Sequence, residues 1–135
     1  MKTIICLNCQ NLKEVEDRFA DRNKYCSIKC QHAYSHKLKI ELWLTKGVAP
    51  YKKQIRKYLI DKNGHMCSEC RNTEWNNKPI TLELEHKDGN SENNHPDNLD
   101  LLCPNCHSQT PTYKAKNKGN GRHARRLRYK EGKSY

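Results

Sequence analysis

The chain has 135 residues, of which 34% are hydrophobic and 30% charged, with eight cysteines and a formal net charge of +11. So few apolar residues cannot offset the conformational entropy of this much chain without crosslinks. The composition therefore argues against a protein held together by its apolar core alone, and no segment is long and apolar enough for a membrane-spanning helix.

The cysteines fall into four close pairs, Cys6/Cys9, Cys26/Cys30, Cys67/Cys70 and Cys103/Cys106. A disulfide framework is one interpretation of such pairs. Zinc is favoured, because the N-terminal "MKTIICLNCQ" lacks the apolar core of a signal peptide and because two-residue spacings let both sulfurs reach one ion about 2.3 Å away. We predict two structural four-cysteine zinc sites in a protein of a reducing compartment, the cytoplasm.

The first predicted domain, residues 1–45, combines "CLNC" and "CSIKC" in a four-cysteine zinc finger that extends into a helix. This finger either has a purely structural role or is part of a nucleic-acid-binding surface. The helix is predicted from the spacing of Ala33, Leu38, Leu42 and Trp43, and it should end before Gly47 and Pro50.

Residues 46–63 are predicted to form a linker and a basic helix, the helix running from about Tyr51 to Lys62. Ile55, Tyr58 and Leu59 recur at helical spacing and make its apolar stripe. The other side carries four cations with no compensating acid on that face, which are either solvated or in contact with phosphate: Lys52, Lys53, Arg56 and Lys57.

The third predicted domain, residues 64–113, should contain strand, loop, strand and helix, with a four-cysteine zinc joining its two ends. The alternation in "ITLELEH" predicts a strand over Ile80–His86, and "NLDLLC" predicts a second. Pro104 suits the first turn of a helix, and Pro111 limits its length. The predicted fold class is a small zinc-stabilised α+β protein.

Glu85 and His86 end the first of these strands. Strand alternation places their side chains on opposite faces, so both can address one site only if the chain kinks as it enters the turn at Gly89. Glycine there tolerates a positive φ, which predicts such a break.

The last predicted domain, residues 114–135, holds nine Lys and Arg residues against one acid, Glu131. Its scarcity of apolar residues is typical of a segment that is disordered by itself. It is either a solvated tail or a polyanion-binding arm, and beside two zinc sites nucleic acid is the favoured partner. The candidate DNA-binding residues of this tail are Arg122, Arg125, Arg126 and Arg128.

The segment "CSEC…LELEHKDGN…NNHPDNLDLLCPNCHSQT" resembles the HNH endonucleases, which have the ββα-metal nuclease fold. The resemblance covers roughly residues 64–113. The wider layout, with an N-terminal zinc finger, an "IRKYL" helix and an "NKGNGR" tail, looks like phage-encoded HNH endonucleases of the homing type. It implies a phage or mobile-element enzyme that acts on double-stranded DNA in the host cytoplasm, as a monomer or as a dimer.

The resemblance also assigns roles by position. It implies that His86 is the general base, that Asn98 positions the loop, and that Glu85 and His107 hold a catalytic Mg²⁺ or Mn²⁺ ion. Each residue also has an alternative interpretation without a catalytic role. Asn98 is then a loop cap, and His107 is a surface residue or a zinc ligand in place of Cys106. The neighbouring residues in the Asn-rich turn are not selected, because such turns are common for conformational reasons: Asn93, Asn94 and His95.

Two further functions are compatible with the sequence. A non-catalytic zinc module that binds DNA or RNA would keep salt-sensitive binding without cleavage. A zinc scaffold for protein partners fits the cysteine count but does not explain the basic tail.

Overall fold

The computed structural model describes residues 1–116 and 122–133, and the chain divides into two compact units, residues 1–50 and residues 51–135. None of the helices in these described ranges is both long and apolar enough to cross a membrane. The chain is a small α+β protein with two clusters of four cysteines.

In the first unit, β1 (Lys2–Ile5) and β2 (Leu12–Val15) form an antiparallel hairpin, and α1 (Ile28–Lys46) follows. Ser27 caps α1 by accepting a hydrogen bond from the Cys30 N–H at 3.2 Å. The helix ends as predicted at Gly47, which has a φ of 72°.

The buried face of α1 differs from the predicted stripe. Ile40 and Trp43 are buried, whereas Leu38 and Leu42 are 48% and 40% exposed. Trp43 belongs to the predicted stripe, whereas Ile40, three residues earlier on the same face of the helix, does not.

The second unit begins with α2 (Lys52–Asn63), which matches the predicted helix and buries Ile55 and Leu59. The short hairpin β3 (Glu74–Trp75) and β4 (Lys78–Pro79) follows. Next come β5 (Glu83–His86) and β6 (Leu99–Leu102), which pair antiparallel with His86 opposite Leu99.

The first of the predicted strands is shorter than expected. Only Glu83–His86 pairs with β6, because β6 ends where Cys103 turns into the next helix, and the Ile80 N–H donates instead to the Thr73 carbonyl at 3.0 Å. Ile80 and Leu82 are nevertheless buried, as the apolar alternation predicts. The alternation fails further along, where Leu84 is only half-buried and Glu85 on the opposite face is buried.

The helix α3 (Pro104–Ser108) has Pro104 in its first turn, and α4 (Arg122–Lys130) lies in the basic tail. Both α2 and α3 lie against the β5–β6 hairpin. The core of this unit therefore sits between the hairpin and these helices, and its buried hydrophobic residues are Ile55, Leu59, Cys67, Ile80, Leu82, Leu99, Leu101, Leu102 and Cys103.

Candidate functional site

Each of the two predicted sets of cysteines converges on one point, with its four Sγ atoms within 4.8 Å of one another. The Sγ–Sγ distances are 3.6 Å for Cys9–Cys26, 3.4 Å for Cys26–Cys30 and 3.9 Å for Cys70–Cys103. A zinc tetrahedron with bonds of about 2.3 Å has sulfur–sulfur edges of about 3.8 Å, whereas a disulfide needs about 2.05 Å. All eight cysteines are free. The clusters fit zinc and not disulfides, and they comprise Cys6, Cys9, Cys26 and Cys30 in the first unit and Cys67, Cys70, Cys103 and Cys106 in the second.

The two clusters share a backbone conformation at their first cysteine pair. The residue after each Cys-x-x-Cys sequence, Gln10 or Arg71, has a positive φ of 62° or 65°. Its N–H donates to the carbonyl of Cys6 or Cys67, at 2.9 Å and 3.0 Å. The tight turn points both sulfurs of the pair to the same side, as a shared ion requires.

The surroundings of the sulfurs shift the pKa values of the thiols in both directions. Burial would raise the pKa of Cys67, but backbone N–H groups, including that of Cys103 at 3.3 Å from Sγ, lower it to about 6. Cys6 has its pKa lowered to about 6 in the same way. The neighbouring thiol of Cys30 raises the pKa of Cys26 to about 12. Neighbouring thiolates at these distances repel one another, and a bound dication offsets this repulsion.

Glu85 and His107 lie side by side. Glu85 is only 7% exposed, and its Oε2 is 2.7 Å from the His107 Nε2, while its Oε1 accepts a hydrogen bond from the Thr112 hydroxyl at 2.8 Å. A carboxylate oxygen and a neighbouring imidazole nitrogen are two ligand atoms that suit a divalent metal ion. Within residues 1–116 and 122–133, however, the groups of three or more His, Cys, Asp or Glu side chains that could share an ion are the two cysteine clusters alone.

Glu83, which the sequence analysis did not select, contacts the other nitrogen of His107. The Glu83 Oε2 is 2.5 Å from the His107 Nδ1. Glu83 and Glu85 are two residues apart in β5 and share a face, which α3 crosses with His107. Both ring nitrogens of His107 therefore lie within hydrogen-bonding distance of a carboxylate oxygen, and a neutral imidazole, which has one N–H, can donate to only one of them. The available sequence signal was the two-residue spacing of the carboxylates in "ELEH".

His86 ends β5 and faces a different partner. Its Nε2 is 3.0 Å from the Asn94 Oδ1. The Gly89 N–H donates to the His86 carbonyl at 2.8 Å, and Gly89 has a φ of 74°, as predicted for a break in the chain. Because pairing with β6 stays regular up to His86, the break follows this residue and does not fall between it and Glu85.

The Asn98 side chain bridges the two ends of the loop between β5 and β6. Its Oδ1 accepts a hydrogen bond from the Asp88 N–H at 3.0 Å, and its Nδ2 donates to the Asp88 Oδ1 and the Asn93 carbonyl, both at 2.9 Å. Desolvation would raise the pKa of Asp88, but hydrogen bonds from Asn93, Asn90 and Asn98 and the charge of His86 lower it below its ordinary value. This network ties the segment after His86 to the start of β6.

The predicted cations of α2 line a groove beside Glu83. The groove has a volume of about 810 Å³ and is lined by Lys52, Lys53, Arg56, Lys57, Ile60, Glu83 and Leu84. The expectation of a face without a compensating acid was wrong in one respect, because Lys57 Nζ lies 2.6 Å from the Asp61 carboxylate one turn later. Among the ion pairs between described residues, Lys57 is the cation of this groove that has a carboxylate partner.

Within the basic tail, α4 contacts the loop between β5 and β6. The Arg125 Nη1 donates to the Ser91 Oγ at 2.8 Å and lies 3.6 Å from the Glu92 carboxylate, which also accepts a hydrogen bond from the Tyr129 hydroxyl at 2.6 Å. These polar contacts hold α4 against the loop, although α4 has few apolar residues. Among the predicted DNA-binding residues of the tail, Arg126 is exposed, Arg128 is half-buried, and the side chain of Arg122 lies outside the described residues.

Comparison with known proteins confirms the resemblance to H-N-H endonucleases. The chain is similar to the H-N-H endonuclease F-TflIV of Escherichia phage T5, with 62% identity over 55 residues, which are 41% of this chain and 24% of that protein. It is also similar to the Zorya protein ZorE of Escherichia coli, with 24% identity over 120 residues, which are 81% of this chain and 32% of that protein. The chain thus spans about a quarter of the length of the phage endonuclease and about a third of the length of the Zorya protein. No family model and no solved structure matches it.

Proposed function

We propose that this chain is a metal-dependent endonuclease that hydrolyses phosphodiester bonds of double-stranded DNA at specific sites, as a homing-type enzyme. The observation that carries the proposal is the similarity to a phage H-N-H endonuclease, together with the Glu85–His107 pair, in which Glu85 precedes His86 in β5. Residues 64–113, with β5, β6 and α3, are the nuclease core of ββα-metal type in this proposal.

In the proposed mechanism His86 is the general base. Its imidazole takes a proton from the attacking water. Asn98 positions the loop that follows His86, through its hydrogen bonds to Asp88 and Asn93. The water oxygen bonds to phosphorus as the bond from phosphorus to the 3′ oxygen breaks. The leaving 3′ oxygen takes up a proton from solvent, which gives 3′-hydroxyl and 5′-phosphate ends.

Glu85 and His107 are the proposed ligands of Mg²⁺ or Mn²⁺. Burial of Glu85 and its hydrogen bond from Thr112 fix one ligand atom, while Glu83 fixes the His107 ring by holding Nδ1. When bound, the ion stabilises negative charge that develops on the phosphate and the leaving oxygen. The cysteine-bound zinc ions have a structural role, because four thiolates leave no open coordination position.

The groove beside α2 is the proposed phosphate-binding surface of the core. Lys52, Lys53 and Arg56 stand along one wall, and Glu83 and Leu84 of β5 complete the lining. A phosphate held there lies next to the carboxylate that holds His107. Contacts of this kind set the register of a duplex without reading its sequence.

In this proposal the other predicted domains add further contacts to the DNA backbone. Residues 1–45 form the N-terminal zinc finger, residues 46–63 the linker and basic helix, and residues 114–135 the DNA-binding tail. A single nuclease site in each chain gives a nick when the protein acts as a monomer and a double-strand break when it acts as a dimer. The proposed site of action is the cytoplasm of a phage host.

The test is cleavage of supercoiled plasmids that carry a library of phage genomic fragments, with Mg²⁺ or Mn²⁺ at low salt. The wild type should cut at defined sites and His86→Ala should not, while His32→Ala, a substitution of an exposed histidine in α1, should cut normally. Nicked circles without linear DNA would identify the monomeric mode. Salt-sensitive DNA binding that is equal in wild type, His86→Ala and His107→Ala, with no cleavage by any of them, would instead identify a non-catalytic binding module.

A further inference from the structure

Asn94 presents its amide oxygen to the His86 ring. The Asn94 Oδ1 is 3.0 Å from the His86 Nε2, and the Asn94 Nδ2 lies 3.4 Å from the Glu92 carbonyl oxygen. Since a carbonyl oxygen only accepts hydrogen bonds, the amide nitrogen must face Glu92 and the amide oxygen must face His86. The facing ring nitrogen then has to be the donor, so Nε2 carries the hydrogen.

The backbone holds Asn94 in this position from both sides. The Asn94 N–H donates to the Glu92 carbonyl at 3.0 Å, and the carbonyl of Asn93 accepts a hydrogen bond from the Asn98 Nδ2 at 2.9 Å. Glu92 is itself held through its carboxylate by Tyr129 of α4. The amide oxygen is therefore fixed relative to β5, on which His86 stands.

We propose that Asn94 is a positioning residue for His86: its amide oxygen orients the ring and keeps the hydrogen on Nε2, which leaves Nδ1 to accept the proton of the attacking water. The proposal rests on the proposed function for the role of Nδ1, but the ring geometry can be tested without cleavage. A third group that orients a base through its second nitrogen is a general device of acid–base and nucleophilic sites.

The experiment is NMR of the zinc-loaded full chain with ¹⁵N-labelled histidine, at alkaline pH where imidazoles are neutral. The wild type should show a slowly exchanging His86 proton on Nε2. In Asn94→Ala this proton should exchange with water too fast to be observed, and Asn94→Asp should restore it, since a carboxylate can only accept. Asn93→Ala is the matched control, because Asn93 is in the same loop and bonds Asp88 and His95 but not His86.

A wild-type proton on Nδ1, no slowly exchanging His86 ring proton in the wild type, or an unchanged Nε2 proton in Asn94→Ala would overturn the proposal. So would loss of the signal in Asn93→Ala to the same extent as in Asn94→Ala, because the loop as a whole and not the amide would then hold the ring.

Cleavage assays separate this inference from the proposed function. Asn94→Ala should lower the cleavage rate constant roughly 10- to 100-fold, with little change in the KM for DNA, and Asn94→Asp should recover most of it. If the wild type has the predicted ring proton but cuts no DNA, the nuclease proposal fails and the positioning contact stands. If the wild type cuts DNA and Asn94→Ala cuts equally fast, the positioning role is refuted while the nuclease proposal stands.

Discussion

The Glu83 carboxylate lies 2.5 Å from the Nδ1 of His107, on the opposite side of the ring from Glu85. The Glu83→Gln variant keeps an acceptor of the same shape but removes its charge, so the Nε2 of His107 becomes a weaker metal ligand. The affinity of the zinc-loaded protein for Mn²⁺ should fall roughly 10- to 100-fold. Calorimetric or paramagnetic titration with Mn²⁺ measures this change.

Glu74→Gln is the control for this experiment, because Glu74 is exposed in the β3–β4 hairpin and should bind Mn²⁺ as the wild type does. Equal Mn²⁺ affinity in Glu83→Gln and wild type would show that Glu83 does not support the metal pair.

Neutralising the groove should weaken DNA binding uniformly across sequences. The variant has Lys52, Lys53 and Arg56 all changed to Gln. The logarithm of its binding constant should fall less steeply with the logarithm of the salt concentration, and each lost phosphate contact should reduce the magnitude of this slope by about 0.9. Fluorescence anisotropy over a series of salt concentrations gives this slope. Lys62→Gln, in the last turn of the same helix but outside the groove, is the matched control. A slope that falls equally in both variants would place phosphate elsewhere.

Each cysteine cluster should bind its own zinc ion. Cys103→Ser removes a buried ligand while the serine hydroxyl can still cap α3, so the protein should retain one zinc ion where the wild type retains two, and residues 51–135 should lose their cooperative unfolding. Native mass spectrometry counts the ions, and hydrogen exchange shows which unit has opened. Two retained ions in Cys103→Ser, or a disulfide in the untreated wild type, would contradict the assignment.

The pH dependence of stability should contain a contribution from Asp88. Its pKa is lowered in the folded protein, so the ionised carboxylate stabilises the fold above its ordinary pKa of about 3.9, and this contribution is lost as pH falls through the lower folded value. Asp88→Asn should therefore be less stable than wild type at neutral pH and should approach wild-type stability in acid. Thermal melts from pH 7 to pH 3 make the comparison. A constant difference across that range would mean that the ionisation of Asp88 has no part in the network.

Tyr129→Phe removes only the hydroxyl that donates to Glu92. The loss of this hydrogen bond should cost about 1 kcal/mol of local stability, so amides of residues 91–95 should exchange about five times faster with solvent. Hydrogen exchange with mass spectrometry resolves this segment. Tyr51→Phe, at a tyrosine that is 81% exposed, should change nothing there. Unchanged exchange in Tyr129→Phe would mean that α4 does not brace the loop.

The local elements of this protein could be predicted because nearby residues determine them. Gly47 ends α1 and Pro104 begins α3 for reasons of φ and a missing N–H, and the spacing of Ile55 and Leu59 places one face of α2 in the core. The length of β5 could not be read in this way, since it depends on where β6 stops at Cys103.

By itself, the sequence determined the two sets of four cysteines, the end of α1, the positions of α2 and α3, and the resemblance at Glu85, His86, Asn98 and His107. It did not predict α4, which lies in a tail whose composition is typical of disorder. Only the tertiary structure decided that Glu83 holds one nitrogen of His107 and that Asn94 holds one nitrogen of His86. The partners in these contacts are 24 and 8 residues apart, and they meet because α3 crosses β5 and because the loop folds back on the strand. Hydrogen bonds depend on directions in space, and residue spacing along a chain fixes such directions only within one helix, strand or turn.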